Sequence, residues 1–448
     1  MEDQRDANDQ GELQAGSGRL RQFVAYARSV FGLDELFAKV SDTRINPKAS
    51  PSLIAQAVFF CGLLRIRSFN ALEPKLAEAS FRALIGAPAG TLGCVDTVSR
   101  GLHAMKIDNV RAISHNIIAK AERNKVFREG WIGTLRFVAL DGWEPFSSYS
   151  RHCEECLERR IFVKGIKGEK DHYRTQYYHR FVVAMQIDDR MDLILDFEPI
   201  LPADLREDQS DLDEGELTSA KRLLRRVKKR YPWIDAVIGD ALYSNGPFMT
   251  LTSELRMSGF FVLKKDSDEP LKEALSLWDD DTPCEVIEAM RLRTTGTPRR
   301  NERIQFWDCR EIETLETYKG KVRVVRAVVT DLDDKRQPSS TWCIAVIGKA
   351  AKSFSPRQCL NVVRGRWHIE NTGFHQWSTR WQFTHLFTHG GNAIRALFWL
   401  FFAAYNLLTI FMYRQVLGYG RNRGTNTTRT ISRLVDEMLD ALPSWNTS

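Results

Sequence analysis

"LRFVALDGW", residues 135–143, is a short apolar run that stops on an aspartate and a glycine. Its content suits a strand buried on both faces, and Asp141-Gly142 suits the end of that strand. Working outward, "YYHRFVVAMQI" (177–187) and "LILDFEPI" (193–200) have the same β-branched and aromatic character and read as strands two and three. A helix is expected from about Asp211 to Tyr231, acidic at its start and basic at its end, as the helix macrodipole favours. "DAVIGDALYS" (235–244) reads as a fourth strand ending in a second acid, Asp240, and "GFFVLKK" (259–265) as a fifth. Strands in this order around a helix predict an α/β sheet covered on both faces.

The flanking segments differ. Residues 1–17 are polar and read as a disordered leader without the apolar core of a signal peptide. Residues 18–130 carry helical periodicity and predict an all-helical N-terminal domain. The sheet unit then runs over 131–270 and returns over 341–415, where "WCIAVIG" (342–348) is another strand and Ser355-Pro356 caps a helix. Between them, 271–340 alternates in the manner of an antiparallel β-insert, and 416–448 is a basic tail. "IRALFWLFFAAYNLLTIFMY" (394–413) has the length of a membrane span. Arg395 and Asn406 interrupt it and no second span accompanies it, so it is expected as a buried core helix and no membrane partner is expected.

Hydrophobic residues at 43% and charged residues at 27% of 448 exclude fibrous and disordered classes. A net charge of +7 permits a polyanionic partner. The basic residues cluster: Lys221 to Arg230, including Arg225 and Lys228, and Arg291 to Arg303, including Arg299 and Arg300. Either run is a solvated face or a phosphate-binding surface. Eight scattered cysteines are no disulfide framework and fit reduced thiols in the cytoplasm.

The helix "RGRWHIENTGFHQW" (364–377) sets Arg366 and Glu370 one turn apart on one face. Singly, Asp141 and Asp240 read as turn residues and Arg366–Glu370 as a surface ion pair. Together, two strand-end aspartates and a helical glutamate can bracket two divalent cations, because magnesium takes oxygen ligands and keeps several waters. Two such ions about 4 Å apart serve phosphodiester chemistry. Arg366 would then neutralise a DNA phosphate or orient Glu370.

The order strand-"LDGW", strand-"GDALY", β-rich insert, then "RWHIEN" on a helix resembles the DDE transposases of the insertion-sequence-four superfamily. The resemblance spans about Leu135 to Met412. It implies an RNase H-like mixed sheet flanked by helices and split by the insert, with Asp141, Asp240 and Glu370 as catalytic metal triad for two Mg²⁺ ions, Mn²⁺ substituting. It implies a cut-and-paste transposase, acting on terminal inverted repeats and target DNA as a homodimer, in the cytoplasm of a bacterium or archaeon at the nucleoid. The helical N-terminal domain would bind the ends. Tyr243 matches an aromatic that often follows the second aspartate. The family's helix motif places a tyrosine and a lysine where Val363 and Trp377 stand, so Trp377 is where this chain is expected to meet DNA in its own way. The alternative is a catalytically inactive, transposase-derived DNA-binding protein.

"SRHCEECLERR" followed by "DHYRTQYYHR" suggests a zinc hairpin within 150–180. Cys153 and Cys156 are the closely spaced pair, with His152 and His172 the expected further ligands and His179 expected in a strand. The other reading is a plain loop with reduced thiols. His385 and His389 stand four apart but lack the glutamate of a metalloprotease helix, and read as a capped helix end before Gly390. Glu144 and Asp235, near the two aspartates, read as solvent-facing acids, with a substitute metal-binding role as the alternative. Trp143, Trp367, Trp377, Trp381 and Trp399 read mostly as core, with one or two stacking on flipped or terminal bases.

Overall fold

The computed structural model describes residues 18–127, 135–164, 171–187, 191–206, 212–264, 268–278, 282–291, 300–313, 315–333, 339–417 and 430–446. The leader and residues 418–429 of the basic tail lie outside these. Nine strands form one sheet in the order β6-β5-β1-β7-β8-β12-β11-β10-β9. They are β1 (Phe137–Trp143), β5 (Phe181–Ile187), β6 (Leu193–Pro199), β7 (Ala236–Gly239), β8 (Ser258–Leu263), β9 (Glu285–Arg291), β10 (Arg300–Ile312), β11 (Val322–Asp331) and β12 (Ser340–Ile347). β2 (Ser147–Ser148), β3 (Leu157–Val163) and β4 (His172–Tyr178) form a separate sheet in the order β2-β4-β3.

β1 runs antiparallel to β5 and parallel to β7, and β7 runs parallel to β8. The sheet is therefore mixed, and its centre is buried on both faces. Alternate residues supply the two faces, as the two-residue period of a strand requires. Phe137, Ala236, Ile238 and Phe260 enter a core under the helix Pro356–Gly365, while Val138, Val237 and Phe261 enter the larger core on the opposite face. The residues expected as an insert begin with a helix, Glu269–Leu277, and then form β9, β10 and β11. These pair antiparallel in succession onto β12, so they extend the central sheet instead of forming a layer of their own.

The apolar segment forms the helix Gly391–Phe411, buried along nearly its whole length. The helices Pro51–Leu63, Val95–Ala104 and Ile107–Arg123 pack against it on one side and β6 on the other. The N-terminal helices thus share one hydrophobic core with the sheet.

Asn406, fully buried, explains the polar interruption. Its Oδ1 accepts from the Ile194 N–H at 2.9 Å and its Nδ2 donates to the Ile194 carbonyl at 2.7 Å. β6 is an edge strand, and a helical side chain here completes its open backbone as a neighbouring strand would. Asn406→Leu leaves both buried groups of Ile194 unpaired and is expected to cost about 2–4 kcal/mol in urea unfolding. A loss below about 0.5 kcal/mol, the range of ordinary surface changes, would contradict this role.

Candidate active site

The site is built at the end of β1. Parallel pairing matches Phe137 with Ala236, Val138 with Val237 and Ala139 with Ile238. Carried two residues further, the same register sets Asp141 level with Asp240, on strands about 4.8 Å apart. β7 stops just before Asp240, while β1 runs two residues past Asp141 to Trp143, paired with β5 alone. Asp240 caps the 3₁₀ turn Ala241–Tyr243 by accepting from the Leu242 N–H at 2.9 Å. Asp141 accepts from the N–H of Gly142 at 2.9 Å. A Cβ at 142 would stand 2.4 Å from a carboxylate oxygen of Glu216, so a side chain there would make the Glu216–Arg180 pair shift.

Glu370 comes from the far side of the chain. Ser355 caps the helix Pro356–Gly365, accepting from the Gln358 N–H while the Gln358 side chain accepts from the Ser355 N–H. Arg366 closes this helix, and Glu370 sits in a π-helical turn, Ile369–Phe374, before the helix His375–Thr379. Sequence periodicity predicts one helix across 364–377. The structure has a wider turn there, a feature found frequently at functional sites.

Arg366 Nη1 donates to Asp141 Oδ2 at 3.0 Å and to Glu370 Oε1 at 2.6 Å. A fixed cation therefore lies between two of the three acids. Burial raises the Asp141 carboxyl, Arg366 opposes this, and Glu370 and Asp240 add to the rise, leaving it pushed up to about 6. A carboxylate strained by two neighbouring carboxylates is the electrostatic setting a cation relieves. Oxygen donors of this kind fit Mg²⁺ or Mn²⁺, and Asp141, Asp240 and Glu370 are the residues that would hold it. Lys264, at the end of β8, brings its Nζ to 4.0 Å from Asp240. The sequence marks it only as a basic residue at a strand end.

Several sequence expectations are corrected here. Tyr243 does not face DNA: it is fully buried, and its hydroxyl donates to Glu216 Oε1 at 2.8 Å. Burial, then Glu216, pushes its pKa well above the ordinary tyrosine value. Trp377 is likewise buried, 5.2 Å edge-on to Trp143 and 5.1 Å from Phe402. It braces the strand that carries Asp141 and offers no surface to a ligand. Trp143, Trp381 and Trp399 are also core, whereas Trp367 is 45% exposed, tilted against Trp342.

Within the basic helix Glu216–Arg230, Arg222 pairs with Glu198 and Glu214, and Arg226 with Asp196 and Glu198. Lys228 donates to the carbonyls of Pro232 and Ile234 at 2.9 and 2.6 Å, which ties the helix to the segment after it and leaves it no free phosphate contact. Arg225 is exposed. Arg299 lies outside the described residues, and of Arg300, which opens β10, only the backbone is described. Glu144 does not face solvent alone but forms a two-pronged pair with Arg159, and Asp235 accepts from the Arg136 N–H.

The histidines expected beside the CxxC pair are elsewhere. His152 stacks on Tyr177, and His172 lies at the far end of the β3–β4 hairpin, opposite Val163. His179 and His389 take their places: with Cys153 and Cys156 they form a cluster whose ligand atoms all lie within 4.8 Å of one another. No helix forms at His385–His389, so the capped-helix reading of those residues fails. Local spacing could not reveal a ligand 233 positions from its partner.

No curated protein matches the chain. Among solved structures it is similar to a piggyBac transposase synaptic complex with hairpin DNA, at 11% identity and TM-score 0.41, over 93% of this chain and 80% of that one. The family model of the transposase DDE domain matches residues 158–407, a span that contains Asp240, Arg366 and Glu370 and begins after Asp141. That match covers more than half of the sequence, and the chain belongs to the transposase DDE domain family.

Proposed function

We propose that this transposase is a cut-and-paste enzyme of the insertion-sequence-four superfamily, cleaving DNA at terminal inverted repeats and joining the freed ends to target DNA. The observation that carries the reading is the register of β1 on β7, which sets Asp141 beside Asp240, while Arg366 joins Asp141 to Glu370. β1 and β5–β8 then form the RNase H-like core, and the three carboxylates hold two Mg²⁺ ions, with Mn²⁺ a working substitute.

Bound divalent cations supply a nucleophile active at neutral pH and a counter-charge for the leaving oxygen. The chain's own residues do the rest. The three carboxylates fix the reacting centre at the ends of the interior strands β1 and β7. Arg366 holds Asp141 and Glu370 in orientation and sets a guanidinium beside the scissile phosphate. Lys264 adds positive charge near Asp240. The exposed face of Trp367 stacks on an unpaired base. In cleavage, a water oxygen bonds to phosphorus as the bond from phosphorus to the 3′ oxygen breaks, which leaves a 3′-hydroxyl and a 5′-phosphate. In strand transfer, that hydroxyl attacks a target phosphodiester. One phosphorus–oxygen bond forms and one breaks, so no outside energy is required. Two copies act together to synapse two ends. Arg225 and Arg303 contact backbone phosphates, so affinity falls steeply with salt.

The test uses a plasmid carrying the DNA that flanks the gene, incubated with the full chain and Mg²⁺ or Mn²⁺. Nicks at the repeat boundaries are expected, and Asp240→Ala is expected to lose them. Binding of the ends without nicking in either metal would overturn the enzyme in favour of a DNA-binding derivative.

A further inference from the structure

The Cys/His cluster lies outside the three-carboxylate site and is built from three separated parts of the chain. Cys153 and Cys156 sit in the turn before β3, His179 lies between β4 and β5, and His389 immediately precedes the helix Gly391–Phe411. The two sulfurs are 3.8 Å apart. His179 Nε2 is 3.4 Å from each sulfur, and His389 Nε2 is 3.3 Å from that of Cys156. A tetrahedral zinc ion with ordinary bond lengths separates two sulfurs by about 3.8 Å and a sulfur from a nitrogen by about 3.5 Å. Four of the six edges of that tetrahedron are already close to these lengths, and the remaining two are within 4.8 Å. We propose that Cys153, Cys156, His179 and His389 bind one structural Zn²⁺, which pins the three-stranded sheet and the entry to the central helix to the strand beside β1.

The surroundings fit a closed site. Cys156 and His179 are buried, so a tetrahedron completed by four protein ligands leaves no position open to substrate. The turn Cys153–Cys156 is held by the Cys156 N–H donating to the Cys153 carbonyl at 3.0 Å, and the Cys153 N–H donates to Cys156 Sγ at 3.3 Å. That second bond stabilises negative charge on the sulfur, as a ligand thiolate needs. Glu155, inside the turn, reaches the start of the helix Gly391–Phe411 and accepts from Arg395 at 2.8 Å. A Cβ on Gly391 would stand 1.9 Å from the Glu155 carboxyl carbon, and Gly390 takes φ 114. Gly391 therefore leaves room for the Glu155 side chain of the cysteine turn, and the left-handed φ of Gly390 sets the bend between His389 and the helix. His389 lies 19 residues after Glu370 and His179 opens the approach to β5, the antiparallel partner of β1. One ion would thus tie together the segments that follow Asp141 and Glu370, two of the three triad acids.

Full-length protein, dialysed against metal-free buffer, is assayed for zinc by mass spectrometry and titrated with Co²⁺ after zinc removal. The expected results are one zinc per chain and, with Co²⁺, intense visible bands of a tetrahedral site with thiolate charge transfer. His389→Ala and Cys156→Ser are expected to lose the metal, whereas His152→Ala, His172→Ala and Asp240→Ala keep it. Retention in Asp240→Ala separates this site from the proposed Mg²⁺ site, so either can fail without the other. If His389→Ala does not fold, Co²⁺ binding by the unmodified chain still decides. Less than about 0.2 zinc per chain after refolding with zinc, with no tetrahedral Co²⁺ spectrum, would overturn the proposal. So would a Cys153–Cys156 disulfide in protein purified under reducing conditions.

Discussion

Asp141→Asn is expected to cut metal-dependent cleavage by about a thousandfold or more, the several kcal/mol that metal-based charge stabilisation is worth, while making the folded chain more stable. The sign follows from the environment of the carboxyl. Burial, with Glu370 and Asp240 nearby, pushes it up to about 6 despite Arg366, against an ordinary value near 3.8. The folded state therefore holds this proton more tightly than the unfolded state, and ionising the group above pH 6 costs stability. An asparagine carries no such cost, so the variant should gain about 1–3 kcal/mol at pH 7.5 without added Mg²⁺. The gain should shrink as the pH falls through 6 and vanish near 4. Adding Mg²⁺ should raise the melting temperature of the original protein and not that of the variant. A variant that melts below the original at pH 7.5, or that still cleaves at the original rate, would contradict this account of Asp141.

Arg226→Met should be the most destabilising single change in the basic helix, at about 3–5 kcal/mol. Its guanidinium donates to Asp196 at 2.9 and 2.7 Å, and Asp196, on β6, is fully buried. Burial alone would raise the Asp196 carboxyl, but hydrogen bonds from Arg226 and then His115 overcome it and hold the pKa below the ordinary range. That pair contributes stability present above the unfolded value of about 3.9 and lost as the pH falls through the folded value. Removing Arg226 leaves burial opposed only by His115 and the Phe197 N–H, which donates to Asp196 Oδ1 at 2.7 Å, and the slope should reverse, with stability falling as pH rises above 4. Urea unfolding at pH 4.5 and 7.5 measures both. The double change Arg226→Met with Asp196→Leu should recover much of the loss, because an apolar pair leaves no buried charge behind. A loss in Arg226→Met that the second change deepens would show that packing, not charge, is at stake.

These two cases show how far local sequence reaches. An apolar run closed by an aspartate reads as a strand end because strand burial is set within a few residues, and Asp141 and Asp240 are legible for that reason. The Arg366–Glu370 pair is legible from helical spacing alone. The basic run at Lys221 to Arg230 was legible as charge but not as use. Glu198, Glu214 and Asp196, which neutralise Arg222 and Arg226, meet them only once β6 and the loop after it lie under the helix. Trp377 looked like a substitution at a DNA-facing position. The packing of Trp143, Phe374 and Phe402 turns it inward.

By itself the sequence determined the kinds of elements and their order, since apolar periodicity, caps and turn residues act over short spans. It also determined which atoms were available: three carboxylates, two neighbouring thiols and a set of histidines. Tertiary structure decided which of them meet. The register of β1 on β7 places the aspartates side by side, and a one-residue slip would have turned one of them to the other face. The path of the chain over residues 380–390 delivers His389 to Cys156 across 233 positions, while His172, only 16 residues from Cys156, is carried away along a rigid strand. Distance along the chain is a poor guide to distance in space once strands and helices fix direction, and both clusters depend on that direction.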